Sequence, residues 1–293
     1  MKLSQFYNRV VKFGSDLDPR KKNITAYEDT AILYGNPDID VRNILIGIDI
    51  EGDELLLADR IRNSRELDLV ISHHPKGRAY AALFEVMRLQ VDILKRVGIS
   101  KAVAEELLEV RTQEVERKIL PQNYTRAVDV ARILNIPFMC IHTPADNHAY
   151  FFVRRLLDRE KPKQVKDIID ILMEIPEYQG AFKNLAGPRI ILGNPKRSVG
   201  KILVEMTGGT EGPGEVFDKL YNVGIRTLVC MHLSEEHFKK VKDANLNVVI
   251  AGHISSDTLG LNLLIDRIEK SAKERFKTID CSGFRRIRRN RVS

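Results

Sequence analysis

The residues with the most chemistry to offer are imidazoles at the ends of apolar runs. Val70 to Gly77 reads VISHHPKG, so two adjacent histidines, His73 and His74, follow a strand-like run and precede a proline. In a continuing strand the two rings would face opposite ways, and burying one without a partner would be costly. At a strand end, Pro75 lets the chain turn so that each ring can reach a different ion. The stretch IHTPADN adds His142 and Asp146 after another apolar run, and GHISSDTLG adds His253 and Asp257 after a third. If the turn after that strand is already helical, the i, i+4 spacing of His253 and Asp257 points both side chains into one volume. Neutral imidazole suits zinc, iron, manganese or nickel, and carboxylates can bridge two ions while offsetting their charge. Together the three motifs make a two-metal set.

Each motif also has a simpler explanation. An acid behind Ser255 and Ser256 is what a helix amino terminus favours without any metal. Thr, Pro, Asp and Asn are ordinary loop formers. Adjacent histidines can be an exposed loop pair. Two further stretches stay open in the same way. TGGTEGPGE (Thr207 to Glu215) could present backbone N–H groups to an anion, but it lacks the GK[ST] ending of a P-loop and reads as well as a plain strand-to-helix turn. In MHLSEEH, His232 stands at a strand end and could line the same cleft, whereas Glu235, Glu236 and His237 fit an exposed helix.

The elements that must position these residues alternate. NILIGIDI is a β-branched run of strand length, ELLLADRIRNSRELD has helical spacing, and LVISHHP is the next strand. Such a strand–helix–strand unit implies a parallel sheet, whose ligands gather at the carboxyl ends of its strands. A long helical stretch runs from about Ala79 to Arg117 with a break near residues 97–100, and a further helix from Thr125 to Leu134. PFMCIH is a strand and HAYFFVRRLLDRE a helix. The proline-flanked stretch KPKQVKDIIDILMEIPEYQGAF marks a connection between domains. The alternation then resumes: KILVEM, VFDKLYNVG, IRTLVCMH, SEEHFKKVKDAN, LNVVIAGH and a long terminal helix. No exact internal sequence repeat is visible. The expected fold is α/β, with an N-terminal domain over residues 1–160 and a C-terminal domain over 161–293.

Composition narrows the setting. The chain has 293 residues, 43% of them hydrophobic, which is ample for a sizeable core. No run approaches the roughly 18 apolar residues of a membrane span, and the first residues lack the apolar core of a secretory signal, so a cytoplasmic protein that does not engage membranes is expected. Cys140, Cys230 and Cys281 are widely spaced, without a CxxC pair, which argues against a disulfide framework or thiolate zinc site. The net charge of +7 comes mostly from Arg285, Arg286, Arg288, Arg289 and Arg291 in the last nine residues. Such a tail can bind phosphate backbones, lie solvated, or clasp a neighbouring subunit. No aromatic stacking platform accompanies it, so nucleic-acid binding is not the favoured reading.

The order of motifs, a strand then HHP, later HTxxD, and GHxxSD before a terminal helix, resembles the NIF-three-like family, also known as the GTP cyclohydrolase I type 2 homologue family. The stretches from Ile44 to Pro75 and from Ile202 to His232 resemble the openings of that family's two halves. The resemblance implies two α/β domains with a dinuclear metal site in the cleft between them, two divalent ions per subunit, and a ring-like homohexamer. The ligands it implies are His73, His74, Asp146, His253 and Asp257, with His142 in a supporting position. Two departures stand out. Asp257 replaces the glutamate usual in that family, and residues 79–135 form a longer helical segment than compact members carry. Two functions follow: a metal-dependent hydrolase acting on a small phosphorylated or nucleotide-like substrate, or a non-catalytic metal-binding scaffold contacting protein or nucleic acid. No dedicated general base is evident.

Overall fold

The computed structural model of the chain describes residues 1–289. In chain order, α1 (Leu3–Leu17) leads to β1 (Ala31–Tyr34), β2 (Asn43–Gly47), α2 (Gly52–Arg62) and β3 (Leu69–Ser72). The helical segment expected after HHP comprises α3 (Gly77–Ala81), α4 (Leu83–Val86), α5 (Leu89–Val97), α6 (Lys101–Ile119) and α7 (Arg126–Ile133). The break between α5 and α6 has a local cause. Gly98, at φ 109°, ends one helix, and the Ser100 side chain accepts from the Val103 N–H to cap the next. β4 (Phe138–Cys140) and α8 (Thr143–Glu160) complete this half.

The second half follows through α9 (Val165–Leu172) and α10 (Pro176–Lys183). It contains β5 (Arg189–Leu192), β6 (Lys201–Glu205), α11 (Phe217–Asn222), β7 (Ile225–Cys230), α12 (Glu235–Asp243), β8 (Asn247–Ile250) and α13 (His253–Ala272). β9 (Lys277–Asp280) comes last.

The two sheets share one topology. The first runs β1-β4-β3-β2-β9 and the second β5-β8-β7-β6. In each, the three strands that follow the first, β2 to β4 or β6 to β8, are mutually parallel, and the strand that opens the half, β1 or β5, pairs antiparallel at one edge. The sequence therefore hides a structural duplication. It also hides a crossing, because β9 pairs parallel with β2 in the first sheet. A cut between residues 160 and 161 thus leaves the last strand with the earlier sheet. The core shows the same return: Leu261, Leu264, Ile265 and Ile268 of α13, with Phe276 and Phe284, pack among residues of α1, β2 and β3.

α8 and α13 pack against each other and reach both cores, Ala145 and Leu261 in one, Ala149 and Leu259 in the other. Their approach depends on Gly260, where a Cβ would lie 2.4 Å from the Ala145 carbonyl oxygen. This contact sets the first turns of the two helices side by side.

The arginine-rich end is partly absorbed by the protein itself. Arg286 is paired with Asp266 at 2.5 Å and Glu269 at 3.0 Å, and Arg289 with Glu177 at 2.5 Å. Arg291 lies outside the described residues. Cys140 and Cys230 are buried and all three cysteines are free. Among the described residues no helix is long and apolar enough to cross a membrane.

Candidate metal centre

His73 and His74 leave the end of β3, where the His73 and His74 N–H groups donate to the Gly47 and Ile48 carbonyls and fix the turn. IHTPADN is not a loop: α8 begins at Thr143 with Pro144 in its first turn, a position where proline costs the helix nothing. Asp146 therefore sits in the first turn of α8. His253 opens α13, with Asp257 one turn further on the same face.

The folded chain brings all five residues together. His73 Nε2 lies 3.3 Å from Asp146 Oδ1 and 3.5 Å from Asp257 Oδ1. On the other oxygen of Asp257, Oδ2, converge His74 Nε2 at 3.4 Å and His253 Nε2 at 3.5 Å. Asp257 thus stands between two donor sets, one containing His73 and Asp146, the other His74 and His253. His142 adds Nε2 at 3.7 Å from Asp146 Oδ2, so its ring faces the first set directly. Two groups, His73–His74–Asp257 and His73–His142–Asp146, could each hold a metal ion.

Three observations fit a cation here. First, His73 Nε2, Asp146 Oδ1 and both Asp257 oxygens are buried without a hydrogen-bond partner, an arrangement whose desolvation cost calls for a compensating positive charge. Second, three rings have the other nitrogen engaged: His73 Nδ1 donates to the Ile141 carbonyl (2.9 Å), His74 Nδ1 to Asp49 (2.7 Å) and His142 Nδ1 to Asp29 (2.8 Å). Those bonds turn the Nε2 lone pairs inward, as supporting partners do in metal sites. Third, the site's own electrostatics are those of a cation trap. Burial alone would push the His73 imidazole down, but Asp257 and Asp146 outweigh it and lift it to about 10. Asp257 moves the opposite way, as burial is overcome by His73, His74 and His253, which hold its carboxyl far below the usual range.

Three supporting residues were not legible in the sequence. Asp29 also accepts from Thr143 Oγ1 at 2.7 Å, so it holds His142 and the start of α8 together. Asp49, exposed after β2, is the partner of His74. Glu211, within TGGTEGPGE, accepts from the Ser234 N–H at 2.6 Å and pairs with His232 Nδ1 and His237 Nδ1, each at 3.3 Å. Burial would raise the Glu211 carboxyl, yet those contacts hold it at about 2. The signal lies in three-dimensional pairing alone, since Asp29 and His142 are 113 residues apart.

The glycine turn is held by the helices that pack on it. Gln90 of α5 donates from Nε2 to the Gly208 and Thr210 carbonyls at 2.8 and 2.7 Å, and a Cβ on Gly208 would lie 2.6 Å from Gln90 Cγ. At Gly209 a Cβ would lie 2.9 Å from Val86 Cγ2. These glycines make room for α4 and α5. His232 lines the same cleft as His74 and His253, its ring centroid 4.7 Å from that of His253. His237 is buried against Phe217 and so belongs to the packing of α12.

No family model matches the chain, and no curated protein matches it. Solved structures do. A NIF3 superfamily protein from Sphaerobacter thermophilus aligns over 94% of this chain and 97% of its own, at 25% identity and a TM-score of 0.80. Reduced HcgD from Methanocaldococcus jannaschii aligns over 96% and 97%, at 14% identity and a TM-score of 0.57, a likeness of fold.

Proposed function

We propose that this chain, which has the fold of the NIF3 superfamily, is a metal-dependent hydrolase that holds two divalent cations and acts on a small phosphorylated or nucleotide-like substrate. The observation that carries this reading is the set of four buried, unpartnered ligand atoms gathered from His73, Asp146 and Asp257. His73, Asp146 and Asp257 would hold one ion, with His142 beside them, and His74, His253 and Asp257 the other; zinc, iron, manganese and nickel all suit such donors. When bound, such ions supply Lewis acidity and lower the pKa of water to about 7.

The chain's own residues supply the rest. Asp257 presents Oδ1 towards His73 and Oδ2 towards His74, and the close approach of α13 that Gly260 permits would let an aspartate, shorter than glutamate, hold both ions. Asp29 and Asp49 hold the rings of His142 and His74 in fixed orientations. His232, held at Nδ1 by Glu211, faces the cleft and is placed to exchange a proton with substrate or water. The reading includes assembly into a homohexamer, for which exposed Leu56, Leu57 and Ile133 on the packed helices α2 and α7 offer apolar contact surface. Light scattering should then give six times the mass of one chain.

The test is a panel of phosphoesters and nucleotides presented to metal-reconstituted protein. Turnover should appear and be lost in His74→Ala. Turnover that His74→Ala leaves untouched would remove the hydrolase assignment.

A further inference from the structure

We propose that the helical segment after β3 builds a subsite for an aromatic ring carrying an anionic group, in the cleft that leads to the imidazole–carboxylate cage. It rests on the hydrolase reading only in placing the reacting bond at the cage. The cleft measures about 490 Å³, within the range of small-molecule sites. It is lined by His74, His253 and His232 of the cage region and by Tyr80, Tyr124 and Arg126 of the helical segment after β3.

Tyr124 is 40% exposed, yet its backbone is fixed: its carbonyl accepts from the Gly77 N–H at 2.8 Å. Gly77 itself, at φ +56°, has no space for a side chain, since a Cβ would lie 2.8 Å from Val128 Cγ2. An exposed aromatic side chain on a fixed backbone offers a large contact area at small entropic cost. With Tyr80 also lining the cleft, the chemistry that it recognises is a ring.

The charges define the second half of the ligand. Asp49 is committed to His74, and Lys76 and Glu51 are committed to each other. Arg126, which also lines the cleft, has no ion pair or side-chain hydrogen bond among the described residues. Its guanidinium is the charge left over, and it takes an anion.

The experiment titrates the full chain calorimetrically with phenylphosphonate, methylphosphonate and benzyl alcohol; the carbon–phosphorus bonds resist hydrolysis. Phenylphosphonate should bind about tenfold more tightly than methylphosphonate, the scale of one aromatic stacking contact. Tyr124→Ala should erase that ratio and Tyr124→Phe retain it. Arg126→Ala should weaken phenylphosphonate about tenfold and leave benzyl alcohol unchanged. The ratio should persist after chelation, which separates this subsite from the hydrolase reading. A ratio near one in the unaltered chain, a ratio unchanged in Tyr124→Ala, or an Arg126→Ala variant that binds phenylphosphonate as before would overturn the proposal.

Discussion

The two halves of this molecule are built on the same sheet and do different things with it. By register, Ser72 at the end of β3 corresponds to Cys230 at the end of β7, because each pairs with the last residue of the preceding parallel strand. The next residues then correspond as His73 with Met231 and His74 with His232. In the first half both are imidazoles turned into the cage. In the second half Met231 is buried and His232 is exposed and tied to Glu211. Each half also ends its third parallel strand with His-x-x-x-Asp, but His142 caps its helix whereas His253 is the first residue inside its helix. One residue of offset leaves His142 tied to Asp29 and frees His253 to face Asp257. The comparison teaches that a duplicated scaffold makes one centre rather than two. The first half contributes the ring pair, and the second contributes Asp257, the acid that both rings face.

That asymmetry can be broken by exchanging counterparts. His73→Met, which gives the first half the residue of the second, should remove one of the two ions and weaken binding at that position by more than roughly 100-fold, beyond what loss of a supporting partner costs; equilibrium dialysis against a metal buffer reads this. His232→Ala strikes the counterpart of His74. It should leave the ion content intact and lower turnover by roughly 100-fold or more, the scale of a lost proton-transfer group, so elemental analysis and steady-state rates must diverge.

The pH dependence sharpens the same point. His73 is raised from 6.5 to about 10 by its two carboxylate neighbours, so without metal it carries a proton at neutral pH. The stability that this proton provides is complete below about 6.5 and is lost as pH rises through about 10. A cation must displace the proton, so metal affinity should rise with pH over that window. Thermal unfolding of chelated protein should therefore fall across the window while metal-loaded protein holds steady.

The smallest effect belongs to the helical segment after β3. Gln90→Ala leaves the Gly208 and Thr210 carbonyls without their side-chain donor and should cost roughly 1–3 kcal/mol in stability without changing the ion count. Chemical denaturation checks it.

How much of this was legible in the sequence depended on whether the signal was local. The parallel strands read as apolar runs because they are buried on both faces: β2 and β3 are buried throughout. The edge strands β5 and β9 did not, since Arg189–Leu192 and Lys277–Asp280 are half-exposed and short, and RIIL sits among Gly and Pro that read as linker. The histidine and aspartate motifs carry their own spacing, so they could be nominated as a set. HTPAD could be taken for a loop because proline favours both turns and first helical turns. Asp29 and Glu211 had no local signature. Each acquires its partner through the return of a distant strand or turn.

The central claim is that Asp257 joins two cation positions into one cage. Elemental analysis of purified protein, alongside the Asp257→Ala variant saturated with the same metal, tests it most directly. Two ions per chain are predicted for the unaltered protein and loss of both in the variant. An unaltered chain that retains none, or a variant that retains both, would contradict it.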